Sequence, residues 1–339
     1  MNIELHTTPA VFDELEAVWD TLLDEDHSID FFMSLLWQRT WWKHLQRGTL
    51  SVLTVRDDSG SVVGIAPWFI EVTNGRQIVR TIGCEAVSDY LNVLSRKGAE
   101  EQVFLTLLEF MLSSDSPSWD GFEFCNVHEE ASLLEQLPDL ARQYNLTVEV
   151  DEEDVSPFVM LPGSYEGYLE QLEKKQRHEL RRKRRRAEEN GVSFSVVGTD
   201  DDVDAAIQEF LDLMSMSTPE KASFLQEPGH ASFFQEIGRA TLEAGKLVLL
   251  FVSFAGESAA AMWQFHFRDR MMLYNSGLNP TVFAALSPGI VLLTYSIEDA
   301  IARGCLYYDF LQGSEEYKFR MGARAANIYT VVIRRSDAA

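Results

Sequence analysis

Asp309 stands in the run Leu306–Leu311, which is otherwise apolar and aromatic, and Lys318 follows behind Tyr317. A charge in a strand of buried type needs a partner or a task, because unpaired buried charge is costly. A carboxylate at 309 could take the proton of an attacking amine or hydroxyl, directly or through water. A cation at 318 could meet the oxyanion of a tetrahedral intermediate or hold a phosphate. An Asp309 that fixes Lys318 or an Arg, and an ordinary surface lysine, would explain both residues as well. Gly313 turns the chain between them, so both can reach the same end of the strand. Upstream, Ser287-Pro288-Gly289 precedes IVLLTYSIEDAIARG. The spacing predicts a helix with Ser287 as N-cap, Pro288 in the first turn and Gly304 just past the end. A helix N-terminus beside a strand suits a phosphate or pyrophosphate, which makes Ser287, Pro288, Gly289 and Ile290 candidate binding residues.

A third group of charges is denser. Residues 174–186 (KKQRHELRRKRRR) hold nine Lys/Arg and one Glu, leaving 20 basic against 52 acidic residues elsewhere, a balance of −32. Such an acidic body repels nucleic acid and anionic membranes in general. A solvated charged face does not suit a run whose charges surround the helix, and nucleic-acid binding lacks interleaved aromatics. A wall for the phosphates of a donor or acceptor fits better, with Arg177, Arg181 and Arg184 on one flank at i, i+4, i+7. Lys183 projects on the apolar side. Asp89 and Tyr90 close an early run of strands and could bind substrate in a cleft; a turn-forming Asp explains the first equally. His266, beside Trp263 and Gln264, is a weaker candidate base, since a lone strand histidine is more often packed or solvated.

Several classes are excluded or disfavoured. Cys84, Cys125 and Cys305 are scattered without metal spacing, and the seven histidines form no HxxxH pair, so no metal site is expected. Reduced cysteines in a cytoplasmic protein are the simplest reading. No apolar run approaches a membrane span. No Ser or Cys sits in a nucleophile motif, so no covalent acyl-enzyme is expected.

These residues must be positioned by regular elements, and the chain repeats its own. Residues 50–83 and 247–277 each read as strand, tight turn, long strand with a Trp (Trp68 or Trp263), second turn and third strand. Helices precede both meanders (Val11–Leu23 and Leu35–Leu45; Val203–Met216 and Ala231–Glu243), and one follows each, near 100–113 and 289–303. The fold class expected is α/β (α+β), two similar domains near 1–150 and 156–335, each a mixed, mostly antiparallel sheet flanked by helices. Asp151–Asp154 with Ser156-Pro157 marks the boundary. One helix over 165–190 is expected to join the halves, amphipathic first and basic later.

The element order, with FFMSLLWQRTWWKHL, VGIAPWFI and Ser88-Asp89-Tyr90 in the first half, and YLEQLEKKQRHELRRKRRR, LSPGIVLLTYSIEDAIARG and YYDFLQGSEEYKFRMG in the second, resembles the GNAT acyltransferases. The likeness is to their double-GNAT branch, the CelD/BioF-type acetyltransferase-like proteins related to Fem-type aminoacyl transferases. It covers nearly the whole chain, and the Tyr317-Lys318 pair matches the family motif, which makes Tyr317 a candidate substrate-binding residue. It implies tandem GNAT-like domains and transfer of an acyl group from acetyl-CoA or another acyl-CoA, as co-substrate without a metal, by direct attack in a ternary complex. The implied acceptor is an amine or hydroxyl of a saccharide or cell-envelope precursor, free or lipid-linked. The usual pyrophosphate loop, Q/R-x-x-G-x-G/A, is absent, and Ser287-Pro288-Gly289 stands in its place. The alternatives are a Fem-type transferase using aminoacyl-tRNA, the one nucleic-acid partner kept open, and a non-catalytic anion-binding protein.

Overall fold

The computed structural model describes residues 1–25, 31–84, 87–281 and 283–335. They gather into two compact units, Met1–Asp154 with Ala326–Ala339, and Val155–Ala325. The sequence reading runs the second half to residue 335; in the structure, the strand Arg324–Arg335 pairs antiparallel with the first unit's Gly121–His128, and Ala326 onward belongs to that unit.

In the first unit, β1 (Asn2–His6), β2 (Thr49–Arg56), β3 (Val62–Thr73) and β4 (Arg76–Thr81) form an antiparallel run, with the short β5 (Leu94–Ser95) beside β3. β6 (Gly121–His128) lies parallel to β4, followed by Arg324–Arg335 and the first part of β7 (Leu146–Met160). The turns are dictated locally. Asn74 and Gly75 sit at φ 53° and 77°, the left-handed pair that a two-residue hairpin needs. The expected helix at 11–23 divides at Leu15 into α1 (Val11–Glu14) and α2 (Glu16–Glu25). Next come α3 (Leu35–Leu45), α4 (Glu100–Leu112) and α5 (Ser132–Gln143). Trp68 packs edge-on against Phe122 and beside Phe124, at the centre of this unit's core. Because β4 and β6 are sheet neighbours, Cys84 and Cys125 meet across 41 residues and form a disulfide. The expectation of three reduced cysteines is thus corrected; Cys305 alone is free, and it is buried.

The second unit repeats the order. The expected single helix at 165–190 is two: α6 (Tyr165–Gln171) and α7 (Lys174–Glu189), broken where Leu172 and Glu173 turn extended (ψ 154° and 144°). The break lets α6 bury Tyr168 and Leu169 while α7 buries only Leu180 and Ala187, faces that one straight helix could not present together. β8 (Val192–Val196) precedes α8 (Val203–Ser217), α9 (Pro219–Gln226) and α10 (His230–Glu243). β9 (Leu247–Phe254), β10 (Glu257–Phe267) and β11 (Arg270–Leu278) form the antiparallel meander, with β8 alongside β9. α11 (Pro288–Ala302) leads to β12 (Tyr307–Asp309), which runs parallel to β11 and antiparallel to the end of β7, before α12 (Glu316–Arg320). Trp263 is fully buried against Phe210 and Phe234. In both units, then, a three-strand meander is followed by a helix and a strand parallel to the meander's third.

Candidate functional site

The pairing of β11 with β12 covers only Arg270–Met272 against Tyr307–Asp309. A bulge at Tyr274 shifts the register on the other side of β11, where Trp263 faces Asn275 but Gln264 faces Leu273. Bulges bend a strand and loosen pairing, and past this one the C-terminal half of β11 borders a cavity of about 510 Å³. Ala260–Met262 of β10 and Ser276–Leu278 of β11 line one side, and Ser287, Pro288, Gly289 and Ile290 line another, with Tyr317 contributing from α12. The four residues expected to bind a phosphate therefore share one wall with the expected Tyr317.

The start of α11 is open. Its first turn carries no acidic residue, and Pro288 holds the first helical position. The N–H groups of Gly289 and Ile290 fall where a helix has no internal acceptor. A Cβ placed on Gly289 would meet nothing within 4 Å. Ser287 departs from its expected role. It lies in the left-handed region (φ 55°, ψ 56°) and makes no side-chain cap; its hydroxyl instead accepts the Lys183 ammonium at 2.6 Å. A cation from the basic helix thus stands beside the positive end of the α11 dipole, and both favour an anion.

The first unit's counterpart is closed to anions. α4 carries Glu100 and Glu101 in its first turn, and the Glu100 carboxylate accepts the N–H of Gly98 at 2.9 Å. Carboxylates there already neutralise the dipole end.

The arginine flank is not assembled as expected. Arg181 pairs with Glu166, and Arg184 pairs with Glu298 while stacking between the Tyr165 and Tyr295 rings, 4.7 and 4.3 Å from their centroids. Both are thereby committed to packing α7 on its neighbours. Arg177 is half-buried without an ion-pair partner among the described residues. None of the three lines the cavity; Lys183, on the apolar side of the same helix, is the residue that reaches its edge.

Asp309 and Lys318 are also off the cavity wall. Asp309 is 1% exposed; its Oδ1 accepts the Leu311 N–H at 2.8 Å and the Ser156 hydroxyl at 3.4 Å, and Arg270 stands 3.5 Å from Oδ2. Lys318 is 3% exposed, and its ammonium donates to the carbonyls of Leu311, Gln312 and Gly313 at 3.2, 2.9 and 3.0 Å, with Glu315 at 2.9 Å. The two do not bond each other; they grip successive parts of the turn that presents Tyr317. Gly313 sits at φ 120°, where a Cβ would come within 2.5 Å of the Glu315 carboxylate. Burial, then the Glu315 carboxylate, push the Tyr317 hydroxyl well above the usual phenol range. It stays protonated and able to donate across the neutral range.

His266 is half-buried, and burial followed by Arg303 and Lys246 lowers its pKa; it does not line the cavity. Asp89 and Tyr90 belong to the first unit, where Tyr90 is buried at φ 54° between the Phe32 and His128 rings. Among the described residues no group of three or more His, Cys, Asp or Glu is arranged to hold a metal.

One residue escaped the sequence reading. Lys221 of α9 donates to Asn275 Oδ1 at 2.8 Å and to the carbonyl of cavity-lining Ser276 at 2.6 Å. Thr218-Pro219, a cap followed by a first-turn proline, was the available signal for its helix.

Comparison with known proteins agrees with this architecture. Residues 174–319 match the family model of the acetyltransferase (GNAT) domain. Among solved structures, FemX superposes with a TM-score of 0.67 at 12% identity over 97% of both chains. L-PGS from Bacillus licheniformis gives 0.58 at 13%, over 96% of this chain and 92% of that one. A tandem GNAT protein from the clavulanic acid biosynthesis pathway gives 0.51 at 10%, over the whole of both. At these identities the likeness is one of fold. No curated protein is a significant match.

Proposed function

We propose that the chain, whose residues 174–319 match the acetyltransferase (GNAT) domain model and whose fold is like that of FemX and a tandem GNAT protein, is a two-domain GNAT-type transferase, and that its second unit transfers an acyl group from acyl-CoA to an amine or hydroxyl of a saccharide or cell-envelope precursor. One observation carries the reading: the uncapped, acid-free start of α11 opens into an apolar cavity with Lys183 at its edge. A CoA pyrophosphate would be held by the Gly289 and Ile290 N–H groups and by Lys183. The pantetheine arm suits the apolar wall of Ala260, Ala261, Met262 and Leu293. Tyr317, neutral and at that wall, would donate a hydrogen bond or proton to the departing sulfur. Asp309 and Lys318 would serve by holding the 310–315 turn, and so Tyr317, in place.

A second reading has an observation of its own. α7 turns Lys174, Lys175 and Arg185 outward, and Lys175, His178, Arg182 and Arg320 line a groove of about 890 Å³ beside α12, where Arg182 pairs with Glu179 and Arg320 with Glu316. Cations on this scale suit the phosphates of an aminoacyl-tRNA donor, the alternative for Fem-type proteins. Titration calorimetry with CoA, acetyl-CoA and unfractionated tRNA separates the donors. Saturable CoA binding that Gly289→Val weakens supports acyl-CoA; tRNA binding without CoA binding overturns it.

A further inference from the structure

We propose that Lys221 is the proton acceptor of the transfer reaction, an inference that rests on the transferase reading of the same cavity. Lys318 shows how this protein treats a lysine used as a clip: three carbonyls and a carboxylate surround the charged head. Lys221 is surrounded differently. Its Nζ has two acceptors, Asn275 Oδ1 and the Ser276 carbonyl, and no carboxylate within ion-pair distance among the described residues. A neutral amine has two N–H donors and one lone pair. Two donors satisfy both acceptors, and the lone pair is left to take a proton. A charged head would carry a third N–H with no matched acceptor in a half-buried place, at a desolvation cost.

The location fits the task. The α8–α9 elbow is docked on the cavity-lining end of β11, with Leu278 N–H donating to Ser217 Oγ at 2.8 Å and Lys221 gripping Ser276 just before it. Lys221 does not itself line the cavity, but its Nζ lies 2.6 Å from the carbonyl of lining Ser276 and so reaches the cavity's edge, as Lys183 does through Ser287. The charged and titratable groups around it are few. Glu315 is the one that favours its charged form, and Glu315 is already paired to Lys318. Tyr317 lies on α12 and Glu220 on its own helix. On the packed α10, His230 is engaged with the Phe224 carbonyl, and on α8 Asp212 accepts from Gln208. Burial accordingly lowers the Lys221 pKa to about 8, near the range where a base works best at physiological pH.

The step balances. As the acceptor nitrogen or oxygen bonds the acyl carbon, its proton passes to Lys221 Nζ. The bond from the acyl carbon to sulfur breaks with its electron pair on sulfur. The thiolate regains a proton from solvent, directly or through Tyr317, which is then reprotonated by solvent, and Lys221 returns its own proton to solvent.

Competitive labelling tests this on the full chain. Trace acetic anhydride is applied from pH 6 to 11, and the reactivity of each lysine is read by peptide mass spectrometry, with CoA binding measured on the same sample by calorimetry. Lys221 should titrate near pH 8, about two units below an unperturbed lysine. A midpoint near 10 overturns the proposal, whether or not CoA binds. A low midpoint without CoA binding overturns the acyl-CoA donor and leaves Lys221 as base for another. With D-glucosamine as probe acceptor, thiol release from acetyl-CoA should rise with pH towards 8. It should fall at least ~10²-fold in Lys221→Arg, which keeps both hydrogen bonds but cannot accept a proton. An Arg variant that retains the wild-type rate and rising limb also refutes it.

Discussion

Lys318→Met is the substitution that most sharply divides holding the site from doing chemistry in it. The side chain keeps its apolar stem and loses all three donors. The Leu311 carbonyl is buried and loses its Nζ donor; those of Gln312 and Gly313 are half-buried and can partly recover water. A buried group left unsatisfied costs ~1–3 kcal/mol. The Glu315 pair adds little, because that carboxylate is 57% exposed. The total is about 2–4 kcal/mol, which for a unit of this size lowers Tm by roughly 5–15 °C. Differential scanning calorimetry, which can resolve the two units, is the assay. The second unit's transition should move down and the first unit's should stay. An unchanged Tm with a rate lowered ~10²-fold would refute the reasoning and put Lys318 in the chemistry, as an oxyanion partner.

Lys183→Met should weaken CoA binding several-fold, with the penalty shrinking at high salt, whereas Arg181→Ala should leave affinity unchanged; the opposite ranking would restore the arginine wall. Asp309→Asn should lower the second unit's Tm and leave the rate of folded protein within a few-fold, because its carboxylate answers Arg270 and the Leu311 N–H; a large rate loss at unchanged Tm would make it the base. Lys221 binds its proton more weakly folded than unfolded. Stability should therefore rise from about pH 8 towards the unfolded value near 10.4, a slope Lys221→Met should remove in denaturant titrations.

What the sequence made legible follows from how local each signal is. The meanders were readable because their turns are short-range: Asn74-Gly75 and Ala255-Gly256 adopt the positive φ that such hairpins require. The α11 N-terminus was readable because Pro288 and the glycines act within one turn. Its N-cap was not, since the hydroxyl of Ser287 is claimed by Lys183, 104 positions away. Charge partners were invisible for the same reason. Arg184 looks like a phosphate ligand in its own helix, and only the fold brings Glu298 and two tyrosine rings against it. Lys221 was missed because its meaning depends on the β11 bulge. The Cys84–Cys125 pairing depends on strand order. The break at Leu172-Glu173 was hidden because helical periodicity continues across it, while burial on two different faces does not.

The central claim is that the α11 N-terminus is the acyl-donor site, and isothermal titration of CoA into the wild-type chain and Gly289→Val tests it most directly. The glycine's Cβ position is empty and its φ ordinary, so valine should fold while intruding on the space before the helix. The wild type should bind CoA with one site per chain, and the variant, with unchanged Tm, should lose at least ~10-fold in affinity. Equal affinity in wild type and folded variant, or no CoA binding by either, would contradict the account.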